Sequence, residues 1–322
     1  MKFPIPPLIL MGLIVFCKPS REDPPWEVNV LTDGLRQQAG GRYVGLSGGM
    51  THYEIFGPDT GRVVVLVHGS TLPMWTWDRQ VDVLAAAGFR VVRYDHFGRG
   101  FSDRPDGEYT IDVYRNQLRE LLDFLKIKKP FAIVGISFGC AIIANYVARY
   151  PDAADRMVFV APAVEPFNEV TRLIATSSIG AAFVKNQLKK QVEGGVRSTL
   201  RKRGMPDRYA DMFIEQASIK GFQRSLLSFF KNAAKADYRP FYKKSGETMK
   251  NIMLIWGDDD KTVRKSQIQA FEIAIPGAQV HILAGIGHLA PFEATEQFNN
   301  LLLTFLKQPN PAGDITMPLP FN

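Results

Sequence analysis

Residues 131–139 read "FAIVGISFG", and "CAIIANYVARY" (140–150) follows them with helical apolar spacing. An apolar run, a glycine, a serine, a second glycine and then a helix describe a strand turning sharply into a helix. Gly135 and Gly139 remove the Cβ atoms that would collide in so tight a turn. Ser137 then projects from the tip as a candidate nucleophile. The backbone N–H of Phe138 faces forward at the positive end of the new helix, where an oxyanion would be welcome. The pentapeptide alone is ordinary turn composition; the strand before it and the helix after it give it meaning.

The same strand signature recurs on both sides of this elbow. "RYVGLSGGMTHYEIFG" (42–57) alternates around Gly48-Gly49 and reads as a β-hairpin. "RVVVLVHG" (62–69), "FRVVRYD" (89–95), "RMVFVAP" (156–162), "NIMLIWGD" (251–258) and "QVHILAG" (279–285) are continuous apolar runs, the pattern of strands buried on both faces. Helical text lies between them, over 77–88, 110–127 and from Gly139 to Pro151. Alternation of this kind predicts an α/β fold with a mostly parallel, doubly wound sheet. From 164 to 245 the strand runs vanish and basic, amphipathic helical text takes over. An insertion after the sixth strand sits over the carboxyl ends of the strands, where ligands bind in open α/β sheets. The predicted organisation is a segment 1–25, a core of 26–163 and 246–308, a helical cap 164–245 and a tail 309–322.

A serine hydroxyl needs a base. Of the five histidines, His288 lies in "GIGHLAPFEATEQF", a glycine-flanked loop after the last strand that can carry an imidazole to the serine. His281 lies within that strand, His52 in the hairpin and His96 in a loop with its own motif; His68 opens "HGST" and shapes a loop beside the elbow. The base needs an orienting carboxylate. "IWGDDDKTV" offers Asp258, Asp259 and Asp260 just past a strand, although three adjacent acids also suit a solvated turn.

Together, "VHGST", "YDHFGRGFSDRP", "GISFG", "WGDDDKTV" and "GHLAPFE" resemble the α/β-hydrolase superfamily over roughly residues 42–307. The resemblance implies the triad order Ser137, Asp260, His288, with the acid three residues after Gly257. It gives Glu165 as a second-choice acid. It implies that the Ser70 N–H joins that of Phe138 in the oxyanion hole. Ile136 and Cys140 stand where a polar residue and a glycine are frequent, and neither removes a catalytic group. The implied activity is that of a serine esterase or lipase, with no metal or organic cofactor. The alternatives are a C–C bond hydrolase or perhydrolase on the same triad, and a small-ligand receptor. Trp75 and Trp77 are candidates either for the acyl pocket or for plain core packing.

The 322 residues are 46% hydrophobic and 22% charged, with a formal net charge of +7. From Arg172 to Lys250 there are 17 Lys and Arg against 6 Asp and Glu, a balance of +11 that falls on the cap. A solvated helical surface accounts for such a balance; an anionic membrane surface is the sharper reading. No nucleic-acid motif accompanies the charge. Two cysteines are too few for a disulfide framework, and Cys140 suits a small buried hydrophobe. The apolar run Leu8–Cys17 is too short to span a bilayer but has the size of a signal-peptide core. It leads to Cys17 in the manner of a lipoprotein signal, so export or membrane tethering is expected. The expected substrate is a small-molecule or lipid ester.

Overall fold

The computed structural model describes residues 23–165 and 168–309. The first 22 residues of the expected anchor segment, and the tail from 310, lie outside the described residues. The strands are β1 (Arg42–Leu46), β2 (Gly49–Phe56), β3 (Val63–Val67), β4 (Arg90–Tyr94), β5 (Phe131–Ile136), β6 (Ala154–Val160), β7 (Ile252–Gly257) and β8 (Gln279–Leu283). They form one sheet in the order β1-β2-β4-β3-β5-β6-β7-β8. β1 and β2 form the antiparallel hairpin at one edge, with Leu46 opposite Gly49, and β2 meets β4 antiparallel; the remaining pairs are parallel.

The helices are α1 (Asp33–Ala39), α2 (Asp78–Ala86), α3 (Ile111–Phe124), α4 (Phe138–Arg149), α5 (Glu169–Thr176), α6 (Ser178–Lys190), α7 (Val196–Arg201), α8 (Arg208–Ser218), α9 (Phe222–Ala233), α10 (Arg239–Thr248), α11 (Lys265–Ala274), α12 (Ala290–Glu293) and α13 (Thr295–Lys307). One face of the sheet packs on α3, α4, α10 and α11, through Leu118, Ile142, Tyr242 and Phe271 among others. The opposite face packs on α2 and α13, through Leu84, Phe298, Leu302 and Phe305. Helices on both faces explain why β3, β5 and β7 carry no polar alternation. After β3 the chain moves outward to β4 and then returns to the other side of β3 as β5. That reversal opens a crevice at the carboxyl ends of β3 and β5, the place where such sheets bind ligands.

Helices α5–α9 form the insertion between β6 and β7. α10 differs from the rest: its Ser245 hydroxyl donates to the Ala144 carbonyl of α4, and its Tyr242 hydroxyl donates to the Ala163 carbonyl. The expected cap limit at 245 therefore falls inside a helix seated on the core. The helical text of the insertion is broken at Ser177, whose Oγ accepts from the Gly180 N–H and starts α6. A wide helical turn over Gln191–Gly195, with Gly194 at φ 130°, breaks it again before α7. Among the described residues, no helix is long and apolar enough to cross a membrane.

Candidate active site

Ser137 stands between β5 and α4 at φ 55°, a left-handed conformation that L-residues adopt only when the surroundings impose it. The flanking glycines are what permit it. A Cβ on Gly139 would lie 2.4 Å from the Val67 carbonyl oxygen and 2.5 Å from that of His68; one on Gly135 would lie 2.7 Å from the Gly139 backbone. Because α4 begins at Phe138, the Phe138 N–H has no acceptor within the helix. The loop after β3 lies against the serine, with a Cβ built on Gly69 falling 3.3 Å from Ser137 Cβ.

Two buried histidines shape that loop. His68 Nε2 accepts from the His96 N–H at 2.9 Å, which puts the His68 proton on Nδ1, donated to the Gly69 carbonyl at 2.8 Å. His96 Nε2 donates to the His68 carbonyl at 2.8 Å. Burial holds the His68 pKa down to about 4 and that of His96 well below its ordinary value, so both rings are neutral braces. Arg99, itself buried, donates through Nε to the Ser70 carbonyl and through Nη1 to the Ser225 hydroxyl of α9 at 2.8 Å. Its guanidinium lies over the Phe222 and Phe229 rings, and among the described residues no carboxylate bonds it. The loop after β3 is thus tied to the cap.

His288 follows β8. Its Nδ1 is 2.7 Å from Asp260 Oδ2, with the Asp260 side chain fully buried. Asp260 Oδ1 accepts from the Thr262 and Val263 N–H groups at 2.7 and 2.9 Å. Burial pushes this carboxyl up, but the bond and charge of His288 and the two N–H groups outweigh it and hold the pKa below the ordinary value. An ionised Asp260 keeps the proton on Nδ1 and leaves Nε2 as the accepting nitrogen. The neighbouring acids go elsewhere: Asp258 accepts from the Gly285 N–H, and Asp259 pairs with Lys261 at the surface. The Glu165 backbone N–H donates to Gln267.

A brace missed in the sequence is Glu293. It accepts from the N–H groups of Gly287 and Leu289, on either side of His288, at 2.7 and 3.0 Å. Arg203 of the cap lies 3.2 Å from the same carboxylate. The offset of Glu293 within "GHLAPFE" was the available signal.

Ser137, His288, Gly69 and Ser70 line one cavity of about 280 Å³, roofed by Val196, Leu200 and Phe213 of the cap and flanked by Leu72 and Leu289. Neither tryptophan lines it. Trp77 is fully buried against Phe298, and Trp75 lies over Tyr209 beside a separate cavity. Of the two readings of Trp75 and Trp77, core packing holds and the acyl pocket does not: Trp77 packs on Phe298 of α13, and Trp75 on Tyr209 of the cap. A second buried pair, His52 Nδ1 to Asp95 Oδ2 at 2.7 Å, is structural: Asp95 also accepts from the Met74 and Phe101 N–H groups and staples two loops together. Cys140 is buried, and burial raises its thiol pKa far above the ordinary value. Among the described residues, no His, Cys, Asp and Glu cluster could hold a metal.

The Alpha/beta hydrolase family model matches residues 64–301, which include all of these loops. The chain belongs to that family. This hydrolase is 27% identical over 290 residues to a 2-hydroxy-6-oxononadienedioate/2-hydroxy-6-oxononatrienedioate hydrolase of Paraburkholderia phymatum, covering 84% of this chain and 97% of the relative. Among solved structures it resembles a meta-cleavage product hydrolase of Pseudomonas fluorescens (27% identity, TM-score 0.65, 83% and 98% coverage). It also resembles a bromoperoxidase of Bacillus anthracis (27%, 0.66, 81% and 96%).

Proposed function

We propose that this hydrolase cleaves carboxylic esters through an acyl-enzyme formed on Ser137. The observation that carries the proposal is the Asp260–His288 bond, with His288 lining the same cavity as the constrained Ser137. His288 Nε2 takes the Ser137 proton as Oγ attacks the ester carbonyl. The N–H groups of Ser70 and Phe138 receive the oxyanion, each worth about 2.7–4 kcal/mol in such sites. The intermediate collapses, the C–O bond to the alkoxide breaks, and His288 returns the proton to the leaving alcohol. Water, deprotonated by the same imidazole, then attacks the acyl-enzyme and releases the carboxylic acid and free Ser137.

What supports a neutral ester over a carboxylate-bearing diketone is the cavity wall. The surface it exposes is mostly apolar, its polar lining is made of uncharged hydroxyl and amide side chains beside His288, and its one arginine, Arg203, is paired with Glu293. A C–C hydrolase reading draws on the named relatives, and a free cation is what its dianionic substrates would ask for. The test is a panel of p-nitrophenyl esters of increasing acyl length beside a vinylogous diketone acid. Wild type should turn over the esters. Ser137→Ala should lower kcat by about 10⁴-fold or more and abolish fluorophosphonate labelling at an unchanged melting temperature. Faster turnover of the diketone acid than of any ester would replace this reading.

A further inference from the structure

We propose that the outward face of α5 and α6 is a docking surface for an anionic lipid bilayer. Val170, Leu173 and Ile174 recur at helical spacing on α5, and Ile179 and Phe183 do so on α6; all are exposed, Ile179 at 74% and Phe183 at 61%. Eleven large hydrophobic side chains are exposed among the described residues, and five of them fall in this short stretch. The exposure is therefore one patch, where scattered single residues would need no explanation. α5 has no buried residue at all. Both helices are nonetheless well made. Asn168 caps α5 by accepting from the Thr171 N–H, and Ser177 joins the helices by donating to the Ile174 carbonyl while accepting from the Gly180 N–H. The patch is a preformed corner, so its apolar face is not the product of a fraying end.

Its surroundings select the occupant. Residues 168–190 carry Arg172, Lys185, Lys189 and Lys190 against Glu169 alone. Two copies meeting through this corner would bring their cations together. An anionic bilayer offers phosphates to the cations and a hydrocarbon boundary to Ile179 and Phe183, the arrangement of an interfacial amphipathic helix.

The amino-terminal chain reaches the molecule on the same unit. Glu27 accepts from the Gly221 and Gln223 N–H groups at the start of α9, and Asn29 pairs with Ile219. α5 and α6 pack on α9. The first described residues and the apolar corner are thus both joined to α9 and the residues that lead into it.

The experiment is vesicle flotation of the full chain and of its Ile179→Asp/Phe183→Asp variant. Vesicles of phosphatidylcholine alone are compared with vesicles containing phosphatidylglycerol, at low and high salt. Wild type should prefer the anionic vesicles and lose that preference as salt shortens the Debye length below about 8 Å. The variant should bind them roughly tenfold more weakly. A variant that floats as wild type does, or wild type that ignores vesicle charge, overturns the proposal. So does light scattering that shows a dimer dissociated by the two substitutions, which would assign the corner to a second copy. Hydrolysis of a water-soluble ester by the variant should equal that of wild type, because neither side chain lines the Ser137 cavity. The docking result therefore stands apart from the reaction class.

Discussion

At the scale of single residues, the three adjacent acids show how burial assigns a role. Asp258 and Asp259 hold surface bonds, while the Asp260 carboxylate is sealed from water with both oxygens occupied. Asp260→Asn should lower kcat by about 10⁴-fold through the wrong His288 tautomer. Asp258→Asn and Asp259→Asn should stay within a few-fold of wild type, as read on one ester; equal losses at all three would remove the special role. His68 carries a different consequence. Its folded pKa of about 4 lies below the ordinary 6.5, so between these values the unfolded chain binds the proton that the folded one refuses. Stability from this group is complete above about pH 6.5 and drains away as pH falls toward 4, on the order of 3 kcal/mol in all. Urea midpoints over that range should fall more steeply for wild type than for His68→Gln. Parallel lines would mean that the ring titrates normally.

At the scale of elements, the elbow is where local sequence and tertiary packing agree most closely. Gly135, Ser137 and Gly139 were legible because a turn that sharp admits few residue types. The strands were legible because a two-face-buried strand is a bare apolar run. Gly139→Ala would press a methyl group onto two carbonyl oxygens of the β3 loop, neither of which can swing aside. It should cost about 3 kcal/mol in unfolding free energy and a large part of turnover; a variant as stable as wild type would show that the loop yields. The braces around the site were not legible in the same way. Arg99 reaches 126 residues along the chain to Ser225, and Arg203 reaches 90 to Glu293. No periodicity marks such partners, which exist only once the cap has closed over the core. The break at Ser177 was hidden for the opposite reason, since a capping serine inside amphipathic text looks like any helix-surface serine.

For the whole molecule, labour is divided between a core that brings Ser137, Asp260 and His288 together and a cap that roofs their cavity. Substitution in the roof should move preference without touching the triad. Leu200→Phe, facing the Ser137 cavity, should shift the acyl-length optimum toward shorter esters, with about tenfold discrimination against the longest chains. Unchanged length profiles would place the acyl group elsewhere. Composition and alternation predicted this two-part plan, and the basic balance pointed to the cap, but which cap side chains face inward depends on helix packing that no local pattern encodes. The fastening of Glu27 and Asn29 to residues 218–223 bears finally on the order of synthesis. Asn29 leaves the ribosome 189 residues before Ser218 does, which at ordinary elongation rates is roughly 10–40 s. Throughout that interval Glu27 and Asn29 lack the partners that fix them in the folded chain.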